Sequence, residues 1–207
     1  EILKSYIKKR LIFNNKKILV TAGPTFEMID PVRFIGNFSS GKMGFEIAKQ
    51  AAQLGAKVFL ITGPSRETVN DENIIVNRVI SADEMLNECS KIFPDIDICI
   101  MSAAVSDYKP KKSFNKKIKK NNLKLIKLDL VKNIDILKEL SLKRKNQKII
   151  GFSLETDNEL INAKNKLKDK NLDAIVLNSL NDTGSGFNFN TNKISFITSK
   201  SVKDFSL

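Results

Sequence analysis

The chain contains no histidine and only two cysteines among its 207 residues. The absence of histidine excludes Ser-His-Asp and Cys-His nucleophile systems and histidine-ligated zinc. The two cysteines, Cys89 and Cys99, are too few for a four-thiolate zinc site or a disulfide framework, so we expect two buried thiols in a reducing compartment. Any catalysis must rest on lysine, carboxylates, amides, backbone N–H groups or a ligand-held cation.

Long apolar runs are missing as well. No stretch of about 18 apolar residues occurs, so the sequence predicts no membrane span. The first residues show no apolar segment ending in a small-residue cleavage site, so we expect a cytoplasmic location.

The excess of positive charge is confined to one segment. The net charge is +12, and residues 109–148 carry fifteen basic residues against three acidic ones, so the remainder is neutral. Such a segment predicts a polyanion partner, either a nucleoside triphosphate or a nucleic acid. Arginine is scarce, whereas nucleic-acid readers use more arginine with interleaved aromatics, so we expect no specific nucleic acid. A polyanion-binding module using residues 109–148 stays the alternative.

The hydrophobic pattern alternates between strands and helices. Short apolar runs predict strands at 17–21, 58–61, 96–101, 148–154 and 174–177, and helical spacing predicts helices at 41–54, 81–93, 134–142 and 158–171. Strict alternation predicts a half-exposed strand at 123–130 and an antiparallel edge strand at 193–198. This order indicates an α/β fold with a mostly parallel sheet, an antiparallel edge and helices on both faces.

The chain reads as one domain with two special segments. Residues 1–15 are interpreted as an N-terminal linker or helix, and residues 16–207 as the domain. Residues 109–122 are polar, lysine-rich and aperiodic, so we interpret them as a flap that cannot join the core.

The first candidate site segment runs from Thr21 to Gly44. Gly36 to Lys42 fits the spacing of a phosphate loop, but Met43 replaces the magnesium-binding Ser or Thr, and the preceding strand ends about fifteen residues too early. We therefore reject that motif. A helix beginning after Ser39, Ser40 and Gly41 would favour an anion at its N-terminus, although Ser-Ser-Gly is also an ordinary helix start.

The second candidate segment runs from Met101 to Lys120. Its small residues at a strand end would let a ligand ring approach the backbone. Asp107 could accept from a ribose hydroxyl or hold a cation that rides on phosphates. A flap lysine about 4 Å from a phosphate would contribute about 4 kcal/mol at an effective dielectric near 20; the lysines concerned are Lys116, Lys117, Lys119 and Lys120. The alternative is a solvated lysine run.

Five segments in this order and spacing resemble bacterial phosphopantothenate–cysteine ligases. They read TAGPT, DPVRFIGNFSSGKMG, AAVSDY, KIKK and GFSLET, and the resemblance extends from about Lys16 to Thr198. A nicotinamide oxidoreductase is disfavoured, because no G-x-G-x-x-G turn follows the first strand.

The resemblance implies a fold, a reaction and partners. It implies a three-layer, Rossmann-like α/β fold and a homodimer that uses CTP and Mg²⁺, with 4′-phosphopantothenate and L-cysteine as substrates. The substrate carboxylate attacks the α-phosphate of CTP and gives an acyl-cytidylate, from which the cysteine amine displaces CMP. Such chemistry needs positioning and charge stabilisation rather than histidine. The family also implies fusion to, or association with, a flavin-dependent decarboxylase.

The resemblance also assigns roles to individual residues. Asn37 matches the asparagine that turns over the acyl-cytidylate, and we expect its amide to donate to the acyl carbonyl. Arg33 matches an arginine that helps hold the substrate, together with Ser39, Ser40 and Gly41. Lys117 matches the flap lysine that clamps the triphosphate or intermediate. The nucleotide-binding positions match Met101, Ser102, Ala103, Asp107, Lys117, Ile134, Asp135, Ile136, Leu137, Phe152, Lys166 and Lys170.

Some of these assignments have plainer alternatives. Phe152, expected against the base, could be core, and Lys166 and Lys170 could be solvated surface. Asp107 is the candidate metal ligand, acting mainly through the triphosphate. Asn178, at a predicted strand end, is a further candidate.

Two features depart from the family pattern. Bacterial members usually have Lys-Asn-Pro-Asp after the 123–130 segment, where this chain has Ile134 in place of proline. The decarboxylase half is absent, so we expect either a stand-alone ligase or a domain cut from a longer protein.

Overall fold

The apolar runs of the sequence form the strands of one large sheet. The structure, a computed structural model, describes residues 11–119, 126–179, 181 and 191–206. Its strands are β1 Lys17–Ala22, β2 Phe26–Met28, β3 Phe34–Gly36, β4 Lys57–Thr62, β5 Ile74–Arg78, β6 Ile98–Met101, β7 Tyr108–Pro110, β8 Leu130–Lys132, β9 Lys148–Glu155, β10 Ala174–Ser179, β11 Ile194–Thr198 and β12 Val202–Phe205. Its helices are α1 Lys42–Gln53, α2 Ala82–Ile92, α3 Ile136–Leu142 and α4 Glu159–Asp169, and a short 3₁₀ helix spans Phe93–Asp95.

Eight strands pair in the order β12-β11-β10-β9-β6-β1-β4-β5. The six from β10 to β5 are parallel, and β11 and β12 are antiparallel. The sequence prediction of a mostly parallel sheet with an antiparallel edge is confirmed. Two-stranded sheets formed by β2 with β3 and by β7 with β8 lie outside it.

Alternate residues of the central strands point into separate cores on the two faces. Ile18 and Val20 of β1 pack with α1, whereas Leu19 packs with α2 and α3 on the opposite face. Both sets are almost fully buried. A strand buried on both faces has a continuous apolar sequence, which is why these strands could be predicted.

Helix ends follow the local sequence signals. Ser81 caps α2 by accepting a hydrogen bond from Glu84 N. Gly41 precedes α1 and Gly55 follows it, both with positive φ. Such dihedrals favour glycine, so the predicted boundaries of α1 are correct to within a residue or two.

Several short elements were not predicted. β2, β3, β5, β7 and β12 are three to five residues long, and most of their residues are half-buried or exposed. The predicted strand at 123–130 is wrong over residues 126–129, which form no element; its first three residues lie outside the described ranges. The strand begins only at Leu130, where β8 pairs with β7. β11 is not the edge strand, because β12 pairs with its outer side.

The flanking segments are described only in part. Residues 1–10 of the expected linker lie outside the described ranges, and residues 12–15 form a turn rather than a helix. Residues 111–119 of the flap form no helix or strand, in agreement with the prediction, whereas Lys109 and Pro110 belong to β7, which was not predicted. Residues 120–122 lie outside the described ranges. No helix in the described portion is long and apolar enough to cross a membrane.

The two cysteines are free and buried, as expected. Burial raises the pKa of Cys89 to about 12 and raises that of Cys99 as well. Because the thiolate is the reactive form, both thiols serve as small apolar core residues.

Phe45 of α1 is fully buried and should be a major contributor to stability. We expect Phe45→Ala to lower the free energy of unfolding by about 3–5 kcal/mol, because it removes a large apolar side chain and leaves a cavity. Leu142→Ala, at a side chain that is 72% exposed, is the matched control and should change it by less than about 0.5 kcal/mol. Urea unfolding followed by circular dichroism measures both, and equal effects would contradict the assignment of Phe45 to the core.

Candidate functional site

A cavity of about 410 Å³ opens at the carboxyl edge of the parallel sheet. Thr21 and Met101 bring the ends of β1 and β6 to it, and Ile136 and Leu137 bring the start of α3. Its volume is in the range of small-molecule sites, and the carboxyl edge is where α/β sheets bind ligands. A smaller cavity of about 270 Å³ lies at the opposite, amino edge around Lys17 and Asp97.

Most residues that the sequence singled out for the nucleotide share the larger cavity. They are Met101, Ala103, Asp107, Ile134, Asp135, Ile136, Leu137, Phe152, Lys166 and Lys170. Ser102 and Lys117 are not part of this wall. Ser102 lies beside it, where its hydroxyl donates to Thr21 O at 2.6 Å.

Phe152 lines the cavity, and its backbone contacts one of the cavity lysines. Gly151, its neighbour on β9, faces Leu137 and Leu172. Because side chains alternate along a strand, the Phe152 ring points to the other face of the sheet, away from α3. Its carbonyl oxygen accepts from Lys166 Nζ at 2.7 Å, so the backbone of Phe152 positions a cavity lysine. The expected stacking of this ring on a base stays a prediction.

Lys166 and Lys170 lie one turn apart on α4 and are not free surface lysines. Lys170 forms an ion pair with Asp135 at 2.8 Å. Burial lowers the pKa of Lys166, and the nearby positive charge of Lys170 lowers it further, against the opposing influence of Glu155, Asp135 and Asp107. Burial raises the pKa of Asp135, but hydrogen bonds from Lys170 and from Lys138 N bring it below its usual value.

The wall also includes residues that the sequence analysis did not name individually. Four of these lie inside its two candidate segments and two lie outside them: Thr21, Val105, Ser106 and Tyr108, and Lys132 and Asn133. Asn133 is notable because its Nδ2 is buried and has no hydrogen-bond partner among the described residues. Its Oδ1 accepts from Ile134 N at 3.0 Å, and its backbone N–H donates to Asp107 O. Lys132 and Asn133 directly precede Ile134, which was predicted to bind the nucleotide. Their position in the same loop is the signal that could have identified them.

Asn37 joins the first long loop to the segment after β6. Its Nδ2 donates to Ala104 O at 3.2 Å and to Val105 O at 3.0 Å. The amide hydrogens that we expected to face an acyl carbonyl are therefore engaged by the backbone. Pro24 and Ala104 also form an isolated parallel bridge, which holds the two segments side by side.

Ser39, Ser40 and Gly41 lie at the N-terminus of α1, as predicted. The hydroxyls of Ser39 and Ser40 accept from Gly41 N and Lys42 N at 3.3 Å, and Ser65 donates to Ser40 O. The first turn of α1 carries no acidic residue, so no carboxylate there offsets the positive end of the helix dipole.

Arg33 contacts other parts of the protein, although its side chain is 44% exposed. Its guanidinium pairs with the carboxylate of Asp30, and its Nη2 also donates to Ile118 O at 3.0 Å. Lys117, the neighbour of Ile118, is exposed. Arg33 thus contacts the flap, and its expected contact with substrate stays a prediction.

Asn178 and Asp107 are the two remaining candidates from the sequence. Asn178 lies within β10, where its Nδ2 donates to Asn192 Oδ1 at 2.8 Å. Asp107 is exposed at the cavity wall, and the described residues contain no group of three or more Asp, Glu, Cys or His side chains that could hold a metal ion. The donors present fit a cation carried mainly by ligand phosphates rather than a metal cage built by the protein.

The ion pair between Lys170 and Asp135 predicts a pH-dependent stability difference. Because the folded-state pKa of Asp135 is lowered, its ionised form stabilises the fold above its unfolded pKa of about 4, and this contribution is lost as the pH falls through the folded pKa. Lys170→Met should raise that pKa toward its usual value. The variant should be less stable than the wild type at about pH 7, and the difference should shrink at about pH 3.

Urea unfolding at the two pH values measures this difference, and carbon-detected NMR titration gives the pKa of Asp135. Lys168→Met, at an exposed position of the same helix, is the control. A stability difference that stays constant from neutral to acid pH would show that Lys170 does not stabilise the ionised form of Asp135.

Similarity to known proteins identifies the family to which the chain belongs. Residues 13–207 match the DNA/pantothenate metabolism flavoprotein C-terminal domain. The chain is 45% identical over 203 residues to the coenzyme A biosynthesis bifunctional protein CoaBC of Borreliella burgdorferi, covering 97% of this chain and 49% of that protein. It is 44% identical over 212 residues to a cysteine/cysteine sulfinic acid decarboxylase from an unknown prokaryotic organism, covering 100% of this chain and 59% of that protein.

A crystal structure of the C-terminal domain of a CoaBC protein superposes with a TM-score of 0.78 at 37% identity, covering 94% of this chain and 88% of that one. This likeness confirms the Rossmann-like α/β fold. The chain spans about half the length of the curated relatives it matches. On the match over residues 13–207, the chain belongs to the DNA/pantothenate metabolism flavoprotein C-terminal domain family.

Proposed function

We propose that this domain ligates L-cysteine to 4′-phosphopantothenate at the expense of CTP, by way of an acyl-cytidylate. The observation that carries the proposal is the carboxyl-edge cavity, where ten of the residues expected to bind the nucleotide lie together. Membership of the family and the CoaBC relatives, named for coenzyme A biosynthesis, support the same assignment.

The reaction proceeds in two displacements. In the first, a carboxylate oxygen of 4′-phosphopantothenate attacks the α-phosphorus of CTP, and the bond to the β-phosphate breaks to release pyrophosphate. In the second, the amine of cysteine attacks the acyl carbon, the bond to CMP breaks, and the amine loses a proton. Neither step needs a protein nucleophile, which agrees with a chain that has no histidine and two buried thiols.

Lys166 and Lys170 are the cavity residues suited to the triphosphate. Their charges lie beside the ends of β6 and β9, and Asp135 holds Lys170 in place. In a partly enclosed site, a lysine about 4 Å from a phosphate contributes about 4 kcal/mol at an effective dielectric near 20. Mg²⁺, when bound to the phosphates, would offset more of their charge. Asp107 is the residue that we propose would contribute a carboxylate oxygen to this cation.

Asn133 offers a donor for the nucleotide that the sequence did not identify. A buried amide nitrogen without a partner costs free energy that a ligand acceptor can recover. We propose that a small movement of this loop on binding lets Asn133 Nδ2 donate to an acceptor of the base or ribose.

Asn37 acts in the second displacement under this proposal. Its amide hydrogens bind Ala104 O and Val105 O, so its Oδ1 is the atom that remains to accept a hydrogen bond from the cysteine amine. This revises the donor role expected from the sequence while keeping Asn37 at the same step.

The remaining implications of the resemblance stay predictions. They are a homodimer, a magnesium requirement, a cytoplasmic location and a flavin-dependent decarboxylase as a fused or associated partner. The bifunctional names of the relatives support the last of these. Exposed apolar side chains around the first long loop, with Phe38 88% exposed, support a second copy as partner.

Pyrophosphate release tests the proposed function. We expect release from the purified chain only when 4′-phosphopantothenate, Mg²⁺ and CTP are all present, with ATP giving far less, and cysteine should convert the intermediate to the amide. Coupled pyrophosphate detection and mass spectrometry of the products measure both steps. Absence of release with every nucleotide tested would refute the ligase assignment.

Asn37→Asp should separate the two displacements. The carboxylate would repel the carbonyls of Ala104 and Val105 instead of donating to them, so the cysteine step loses its orienting group. Pyrophosphate release in the first turnover should stay within about threefold, while amide formation falls by about 100-fold and acyl-cytidylate accumulates.

Rapid-quench mass spectrometry follows this intermediate. Asn146→Asp, an exposed position at the amino edge, is the matched control and should leave both steps unchanged. Equal losses in both steps of Asn37→Asp would remove the role given to Asn37.

A further inference from the structure

Asp30 is a buried carboxylate that the functional assignment leaves unexplained. The residue is 1% exposed, although aspartate is rarely buried without a partner. Its two oxygens have different partners. Oδ1 accepts from Val32 N at 2.9 Å and Arg33 N at 3.0 Å, which closes the local turn.

Oδ2 makes the long-range contacts. It accepts from Arg33 Nε at 2.9 Å, from Arg33 Nη2, and from Ile118 N at 3.2 Å. Arg33 Nη2 in turn donates to Ile118 O at 3.0 Å. The pair therefore binds both backbone groups of one flap residue, 88 positions away from Asp30 in the sequence.

A second contact joins the same two segments. Phe114 N donates to Ile29 O at 2.9 Å, so the flap is attached to the 29–33 turn at two residues. Lys117 lies between these attachment points and next to Ile118. Its own side chain is exposed, so its position is set by the backbone on either side.

The charge on Asp30 is stable in this setting. The Arg33 guanidinium, followed by backbone N–H groups of Val32, Ile118 and Arg33, holds the pKa of Asp30 well below its usual range despite burial. Asp30 is buried whereas the Arg33 side chain is 44% exposed, so loss of Arg33 would leave a buried carboxylate without its charged partner.

We propose that Asp30 is a positioning residue that, with Arg33, docks the flap through Ile118 and thereby places Lys117 for the nucleotide. The identity of the ligand in this proposal rests on the proposed function, whereas the docking of the flap does not. It also gives Arg33 a role that acts through the flap rather than by direct contact with substrate.

Asp30→Asn separates docking from the local turn. The amide retains one oxygen, which can still accept from Val32 N and Arg33 N. Its nitrogen replaces Oδ2 and cannot accept from Arg33 or from Ile118 N. Arg33→Lys is the complementary variant, because it keeps the positive charge but loses the planar fork that reaches both Asp30 and Ile118 O.

Limited trypsin digestion with mass spectrometry tests docking without any ligand. Cleavage of a transiently open segment follows the population of its open form, so both variants should be cut after Lys111, Lys112, Lys116, Lys117 or Lys119 at least about tenfold faster than the wild type. Asp97→Asn is the control, because Asp97 likewise accepts from a lysine and from a backbone N–H but lies at the amino edge. Flap cleavage at the wild-type rate in Asp30→Asn would overturn the proposal.

CTP binding measured by isothermal titration calorimetry tests the consequence for Lys117. Asp30→Asn and Lys117→Ala should each weaken binding by about tenfold, and the double variant should be no weaker than Lys117→Ala alone, because coupled residues are not additive. Additive losses would show that Asp30 acts only on general stability and would overturn the positioning role. If the wild type itself does not bind CTP, the proposed function fails, while the trypsin result still decides whether Asp30 docks the flap.

Discussion

The parallel, in-register pairing of β9, β6 and β1 is the constraint on which the candidate site depends. Thr21 lies opposite Met101, and Met101 lies opposite Gly151. Because the three strands run in the same direction, the loops that leave them emerge at one edge of the sheet. Residues separated by more than a hundred positions therefore form one wall.

Small residues let the segments at this edge approach one another. A Cβ on Gly63 would lie 1.7 Å from Pro24 O, and one on Gly44 would lie 2.5 Å from the Ala22 Cβ. The sequence interpretation assigned small residues at strand ends to ligand access. In the structure, backbone segments that pack against each other fill much of this space, as at the bridge between Pro24 and Ala104. The same close approach brings Asn37 within hydrogen-bond distance of Val105 O.

What could be predicted from the sequence was set by burial. Strands such as β1 and helices such as α2 carry their pattern in consecutive residues, because each is packed against a core. β5 and β12 have mostly half-buried or exposed residues and are specified by their neighbours in the sheet, which a linear pattern does not contain. For the candidate site, the sequence identified residues that the structure brings to one cavity, but not the partners of their side chains. Nothing near Arg33 in the sequence indicates Ile118, and nothing near Lys166 indicates the carbonyl of Phe152.

The lysine-rich flap poses a physical problem that hydrophobic burial cannot solve. Its residues are polar or exposed through most of 111–119, so apolar contacts contribute little to holding it in place. Backbone hydrogen bonds are the remaining interactions that can hold the flap. Those formed with ionised partners are about twice as strong as those between neutral groups. A buried carboxylate with a fixed guanidinium supplies both an acceptor and a donor for one peptide unit. Attachment through so few groups leaves the lysine side chains exposed and charged, which is the state in which they can meet a polyanionic ligand.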